Sequence, residues 1–193
     1  MNEAAALAHL ADALRTSFVA GGMAPALAAW ETIPSGRAVE ACNLPVRRWF
    51  KTALAQAPAP MRAVADALAA VEHQLPWRQT YAAGDFLDAY GWAELVGAKG
   101  PMASQTYAVG ILLLGPQTFY PPHAHPAREF YAPISGVASW FSEIEGWRSV
   151  QPGALVHHPP NISHAMRTGD EPLLAAYCWT GDDVHTSASI LDR

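Results

Sequence analysis

The amino-acid sequence predicts a mainly β protein, a barrel or double-sheet jelly roll in its C-terminal half behind an α-helical N-terminal extension. Three observations predict it. Short apolar runs separated by turn residues recur between Thr106 and Trp179, as in all-β barrels. Before residue 76 the apolar residues recur instead at helical spacing. Finally, 51% of the 193 residues are hydrophobic and 15% charged, the balance of a folded chain with a sizeable core. We expect one compact unit, with residues 1–100 forming the extension and 101–193 the barrel and its site.

Taken in order, Leu7, Leu10, Leu14 and Phe18 form one stripe and predict a helix over Asn2–Val19, ended by Gly21-Gly22. Ala26–Glu31 reads as a short helix between Pro25 and Pro34. Leu44–Ala55 reads as another, with Pro45 in its first turn and Trp49 and Phe50 facing inward. Met61, Val64, Leu68 and Val71 repeat the stripe between Pro60 and Leu75, bounded by Pro58 and Pro76. Such stripes must pack on the barrel or on another copy of the chain, so a homodimer through this region is an expectation. Trp77–Pro101, rich in aromatics and glycine, reads as a lead-in with an early edge strand; its aromatics either seal the junction or form a lid. Strands are expected at Thr106–Leu114, Arg128–Ile134, Val137–Ser142, Ala154–His158, Ser163–Arg167 and Leu173–Trp179, with Asp182–Arg193 a tail.

Composition excludes several classes of function. A net charge of −5 with two lysines leaves no basic patch, so nucleic acid is not an expected partner. The N-terminus lacks a basic start and carries acids within its apolar stretch, unlike a secretory signal. No run approaches the roughly 18 apolar residues of a membrane span, and we expect a soluble cytoplasmic protein. Cys42 and Cys178 are too few for a disulfide framework and are expected as free thiols.

The chemistry concentrates in Pro121–Gly136. In an extended chain His123 and His125 share a face, and Glu129 and Tyr131 share one beyond the His-Pro turn. Histidine nitrogen with carboxylate oxygen suits one divalent zinc, iron, manganese, cobalt or nickel ion, and a phenol can join such a site. A further ligand is expected from Gly146–His164. His164 is the choice, because a Pro-Gly turn, the apolar run Ala154–Val156 and a Pro-Pro break bring a strand back to present it; His157 and His158 compete. A nearby cation stabilises a phenolate, which would make Tyr131 a base able to take a carbon-bound proton.

These residues carry a resemblance. His123, His125, Glu129 and Gly136 match the first cupin motif, H-x-H-x3-E-x6-G, while Gly146, Pro152 and Gly153 follow the second and His164 stands where cupins place their last histidine ligand. Tyr120 ahead of H-A-H, P-A-x-E-x-Y, the helical extension and the total length resemble the Q-type (DddQ-like) dimethylsulfoniopropionate lyases of that superfamily. The resemblance implies a cupin barrel (a double-stranded β-helix) and a divalent metal ion. It further implies a small zwitterionic substrate with a carboxylate and a sulfonium, cleaved to dimethyl sulfide and acrylate by Cα-proton abstraction. On this reading the metal set is drawn from His123, His125, Glu129, Tyr131 and His164. Tyr131 is the base, assisted by Tyr120, and His123, Trp140, Tyr177 and Trp179 line the substrate site. Two alternatives stand beside it: an Fe(II) cupin dioxygenase acting on a small substrate, and a non-catalytic cupin that binds a small molecule.

Overall fold

The structure, a computed structural model, describes residues 2–18 and 37–191. The expected helix end at Gly21-Gly22 and the short helix at Ala26–Glu31 lie outside the described residues. Helix α1 (Glu3–Phe18) buries Leu7, Leu10, Leu14 and Phe18, as its stripe requires. The segment after Pro45 divides into a 3-10 turn, Pro45–Trp49, and helix α2 (Phe50–Ala55). Phe50 is buried, whereas Trp49 is only partly so and carries the Arg48 guanidinium over its ring at 3.9 Å. Helix α3 (Arg62–Ala70) buries Val64 and Leu68, and Met61 and Val71 extend the buried stripe beyond its two ends.

Among the described residues the strands are β1 (Trp77–Arg78), β2 (Tyr90–Val96), β3 (Ala108–Leu114), β4 (Phe119–Ala124), β5 (Arg128–Ser135), β6 (Ala138–Ser142), β7 (Gly146–Val150), β8 (Val156–His158), β9 (His164–Thr168), β10 (Leu173–Thr180) and β11 (Ser189–Ile190). They form a six-stranded sheet, β1-β2-β3-β10-β5-β8, and a five-stranded sheet, β11-β4-β9-β6-β7. The six-stranded sheet is buried on both faces. Ala93, Leu95, Val109, Ile111, Leu113, Leu174, Ala176 and Cys178 join the core of the three helices. Leu112, Leu114, Leu173, Ala175, Tyr177 and Tyr131 join the core between the sheets. A strand covered twice reads as one apolar run, which is why β3 is AVGILLL. The helical stripes therefore find their partner on the outer face of this sheet.

Strand β7 is not among those expected, and three further stretches differ from the sequence reading. The expected edge strand is β1, but a seven-residue strand, β2, lies between it and β3 and turns Tyr90 and Trp92 toward the core between the sheets. Strand β4 runs through Pro121 and Pro122, residues that normally argue against a strand. Its pairing with β9 accordingly jumps from Tyr120↔Met166 to His123↔His164. The expected tail instead crosses from β10 in one sheet to the edge of the other, where β11 pairs with His123 and Ala124 and the Leu191 amide donates to Pro122 O at 2.9 Å. Gly136, which closes the first motif, has φ of +78°, and a Cβ there would sit 2.2 Å from Pro172 O.

Candidate metal centre and active site

Strand alternation places the site. On β5, Phe130 and Ala132 pack toward the helices, so Glu129 and Tyr131 point between the sheets. Their partners on β10 are Trp179 and Tyr177, and the partner of Glu129 on β8 is His158. The β4–β9 register sets His123 opposite His164, with His125 just past the end of β4.

His125, Glu129 and His164 are all buried, and their donor atoms lie within 4.8 Å of one another. His125 Nε2 lies 3.0 Å from Glu129 Oε2. His164 Nε2 is 3.1 Å from the same oxygen but is misaligned for a hydrogen bond, which leaves it a buried nitrogen without a partner. Both rings turn Nδ1 to a main-chain carbonyl, His125 to Ala127 O at 3.1 Å and His164 to Ile162 O at 2.8 Å. A carbonyl accepts only from a protonated nitrogen, so Nε2 is left as the lone pair at the carboxylate. That is the tautomer a metal-binding imidazole needs. Trp179 Nε1 donates to the other carboxylate oxygen, Oε1, at 2.6 Å, and its ring stacks on His125 at 4.2 Å. The donor set therefore fits a divalent ion.

His123 stands outside this trio. It stacks on Tyr120 at 4.0 Å, meets His164 edge-on at 4.1 Å and donates through Nδ1 to Pro121 O, 2.8 Å away. Burial and then the nearby His164 push it well below the usual histidine range. Burial works to raise the Glu129 carboxyl, yet His125 and His164 hold it well below the usual carboxylate range. Burial, and then the Glu129 charge, push the Tyr131 phenol well above its ordinary value. Burial and the phenols of Tyr90 and Tyr81 do the same to Tyr120, whose hydroxyl lies 2.9 Å from that of Tyr81.

One cavity is lined by Tyr120, His123, His125, Glu129, Tyr131, Tyr177 and Trp179, all singled out from the sequence. Trp140, also expected at the substrate, is a correction. From β6 it packs edge-on behind Tyr131 at 4.9 Å and is not part of the lining. Alternation decides between the paired histidines: His157 faces out and stacks on Phe130 at 4.6 Å, while His158 faces in and lies parallel to His164 at 4.2 Å. The sequence reading missed the contribution to this lining of Trp92, Glu94 and Lys99 from the lead-in and of His185 and Ser187 from the supposed tail. The alternation Tyr90, Trp92, Glu94 is the signal that would have found the first two.

Comparison with known proteins agrees with this geometry. The dimethylsulfoniopropionate (DMSP) lyase family profile matches residues 22–175. The chain belongs to the DMSP lyase family. Within that family, the DMSP lyase DddQ of Ruegeria pomeroyi is 36% identical over 124 residues, a match that spans 62% of each chain. A chain from a study of the DMSP lyases RdDddP and RnDddQII superposes with a TM-score of 0.86 at 29% identity, covering 99% of this chain and 100% of that one. A cupin-2 domain from Rhodospirillum rubrum, 14% identical over 61% of this chain and 76% of its own, has a TM-score of 0.50 and marks the fold as a cupin. No helix among the described residues is long and apolar enough to cross a membrane.

Proposed function

We propose that the protein is a metal-dependent lyase that cleaves dimethylsulfoniopropionate to dimethyl sulfide and acrylate. The observation that carries the reading is the convergence of three buried donors, His125, Glu129 and His164, of which His125 and Glu129 line one aromatic-walled cavity together with Tyr131. The family membership and the activity named in its relatives support the choice of substrate.

A divalent ion held by His125, Glu129 and His164 would supply Lewis acidity toward the substrate carboxylate and stabilise the Tyr131 phenolate. Tyr131 Oη takes the Cα proton. The C–H electron pair becomes the Cα=Cβ bond, and the Cβ–S bond breaks with its electrons leaving on sulfur, so a neutral sulfide and the acrylate anion result. Tyr120 shares the cavity and assists by positioning the substrate or passing the proton on. Tyr177 and Trp179 offer aromatic faces to the sulfonium, each worth about 0.5 to 2 kcal/mol according to its desolvation. His123, neutral in this setting, lines the same space without adding a second positive charge beside the sulfonium.

The test is headspace detection of dimethyl sulfide after anaerobic addition of dimethylsulfoniopropionate, before and after chelation. We expect gas without oxygen, lost on chelation and restored by a divalent metal. No gas with any of zinc, iron, manganese, cobalt or nickel would refute the reading, and strict oxygen dependence would transfer it to the dioxygenase class.

A further inference from the structure

Among the side chains of the cavity wall without a role in that mechanism are Trp92, Glu94, Lys99 and Ser187. They form one constellation. The Lys99 ammonium lies over the Trp92 ring, 5.5 Å from its centroid, and donates to Ser187 Oγ at 3.3 Å. The indole is held in place because its Nε1 donates to Thr80 Oγ1 at 3.0 Å. Two residues on, the buried Glu94 carboxyl accepts the Lys99 amide on the same wall. A cation within about 6 Å of a tryptophan centroid is attracted by the ring's quadrupole.

We propose that the Trp92 face is the cation subsite of the cavity, and that the Lys99 ammonium occupies it as an internal stand-in which an incoming sulfonium or quaternary ammonium displaces. The proposal rests on the reading that the cavity takes a sulfonium zwitterion. The stand-in has the right charge but the wrong shape: it is a primary ammonium on a tether, anchored by one hydrogen bond to an exposed serine. A methylated onium centre has no N–H to lose from water and covers more of the indole, so exchange favours the ligand. The substrate carboxylate is then left for His125, Glu129 and Tyr131, and the Trp92 face adds to those of Tyr177 and Trp179 around the sulfonium.

Equilibrium binding to the metal-loaded protein tests this without turnover. The probes are 3-(trimethylammonio)propionate and its uncharged carbon isostere 4,4-dimethylpentanoate, titrated by calorimetry. We expect the wild type to prefer the cation by about 3- to 30-fold, a range set by the usual strength of one cation–π contact. W92L should bring the ratio near one and W92F should keep part of it. K99M, at a half-buried position of the wall, should raise the ratio by removing the competitor. A wild type without preference, a W92L protein that keeps it, or a K99M protein whose ratio is unchanged or lower would each overturn the proposal. Dimethyl sulfide release is followed in parallel. A wild-type preference without gas would count against the lyase reading while still supporting the subsite.

Discussion

Trp179 is the place to test whether the carboxylate is held as the structure holds it. The Trp179→Phe substitution removes one N–H and little else, because a phenyl ring retains the stack on His125. The lost bond is the 2.6 Å contact from Nε1 to Glu129 Oε1. Hydrogen bonds to a buried charge contribute about 1.5 to 3 kcal/mol. With that partner gone, Oε1 is left without its donor and Glu129 is free to turn away from His125 and His164. Converted at about 1.4 kcal/mol per tenfold, the expected loss in metal affinity is roughly 10- to 100-fold. Competition against a chromophoric chelator measures it directly and is not confounded by any contact Trp179 makes with substrate. Trp179→Ala, which also removes the stack, should lose more. A Trp179→Phe protein whose metal dissociation constant stays within twofold of wild type would refute the reasoning, since Glu129 would then be oriented by something other than this bond.

Tyr131→Phe should abolish dimethyl sulfide release while leaving the metal dissociation constant within about tenfold, as measured by the same competition, because the three buried donors remain. His158 has its pKa pushed down to about 3, by burial first and the neighbouring His164 second. The unfolded chain therefore binds a proton that the folded chain refuses between about pH 6.5 and 3, and stability falls as pH falls through that window by about 1.4 kcal/mol per unit. Denaturant melts of the metal-free His158→Phe protein should show a flatter acid limb than wild type. Leu68→Ala, at a fully buried position of α3 in the core shared by the helices, should cost about 2 to 5 kcal/mol in chemical denaturation, with the metal dissociation constant unchanged.

Much of this protein is legible in its sequence because two periodicities survive in it. The leucine stripe of α1 and the strand runs of β3, β5, β9 and β10 each record which side is covered. Glu129 and Tyr131 can be read as a pair facing one way because period two is unbroken along β5. What was not legible depends on pairing rather than pattern. Nothing local in Pro121-Pro122 says that β9 will tolerate a jump in register there. Nothing in Ser189-Ile190 says that two residues will find the edge of β4. Trp140 illustrates the limit from the other side. Aromatic type and nearness in sequence placed it at the substrate, but its ring packs edge-on against Tyr131 and is not part of the cavity lining.

The way the imidazoles are tethered has a consequence for how the site is made. His123, His125 and His164 each bind, through Nδ1, a carbonyl only two residues away. Each ring can therefore be set as its own short segment emerges during synthesis. The set as a whole cannot be completed so early, because His164 comes thirty-five residues after Glu129 and its strand must settle between β4 and β6. At 5 to 20 residues per second that is a delay of about 2 to 7 seconds, during which a newborn chain offers an ion only His125 and Glu129. Any metal loading here would thus wait on a particular strand insertion, and the segment that brings His185 and Ser187 to the cavity wall is translated only after it.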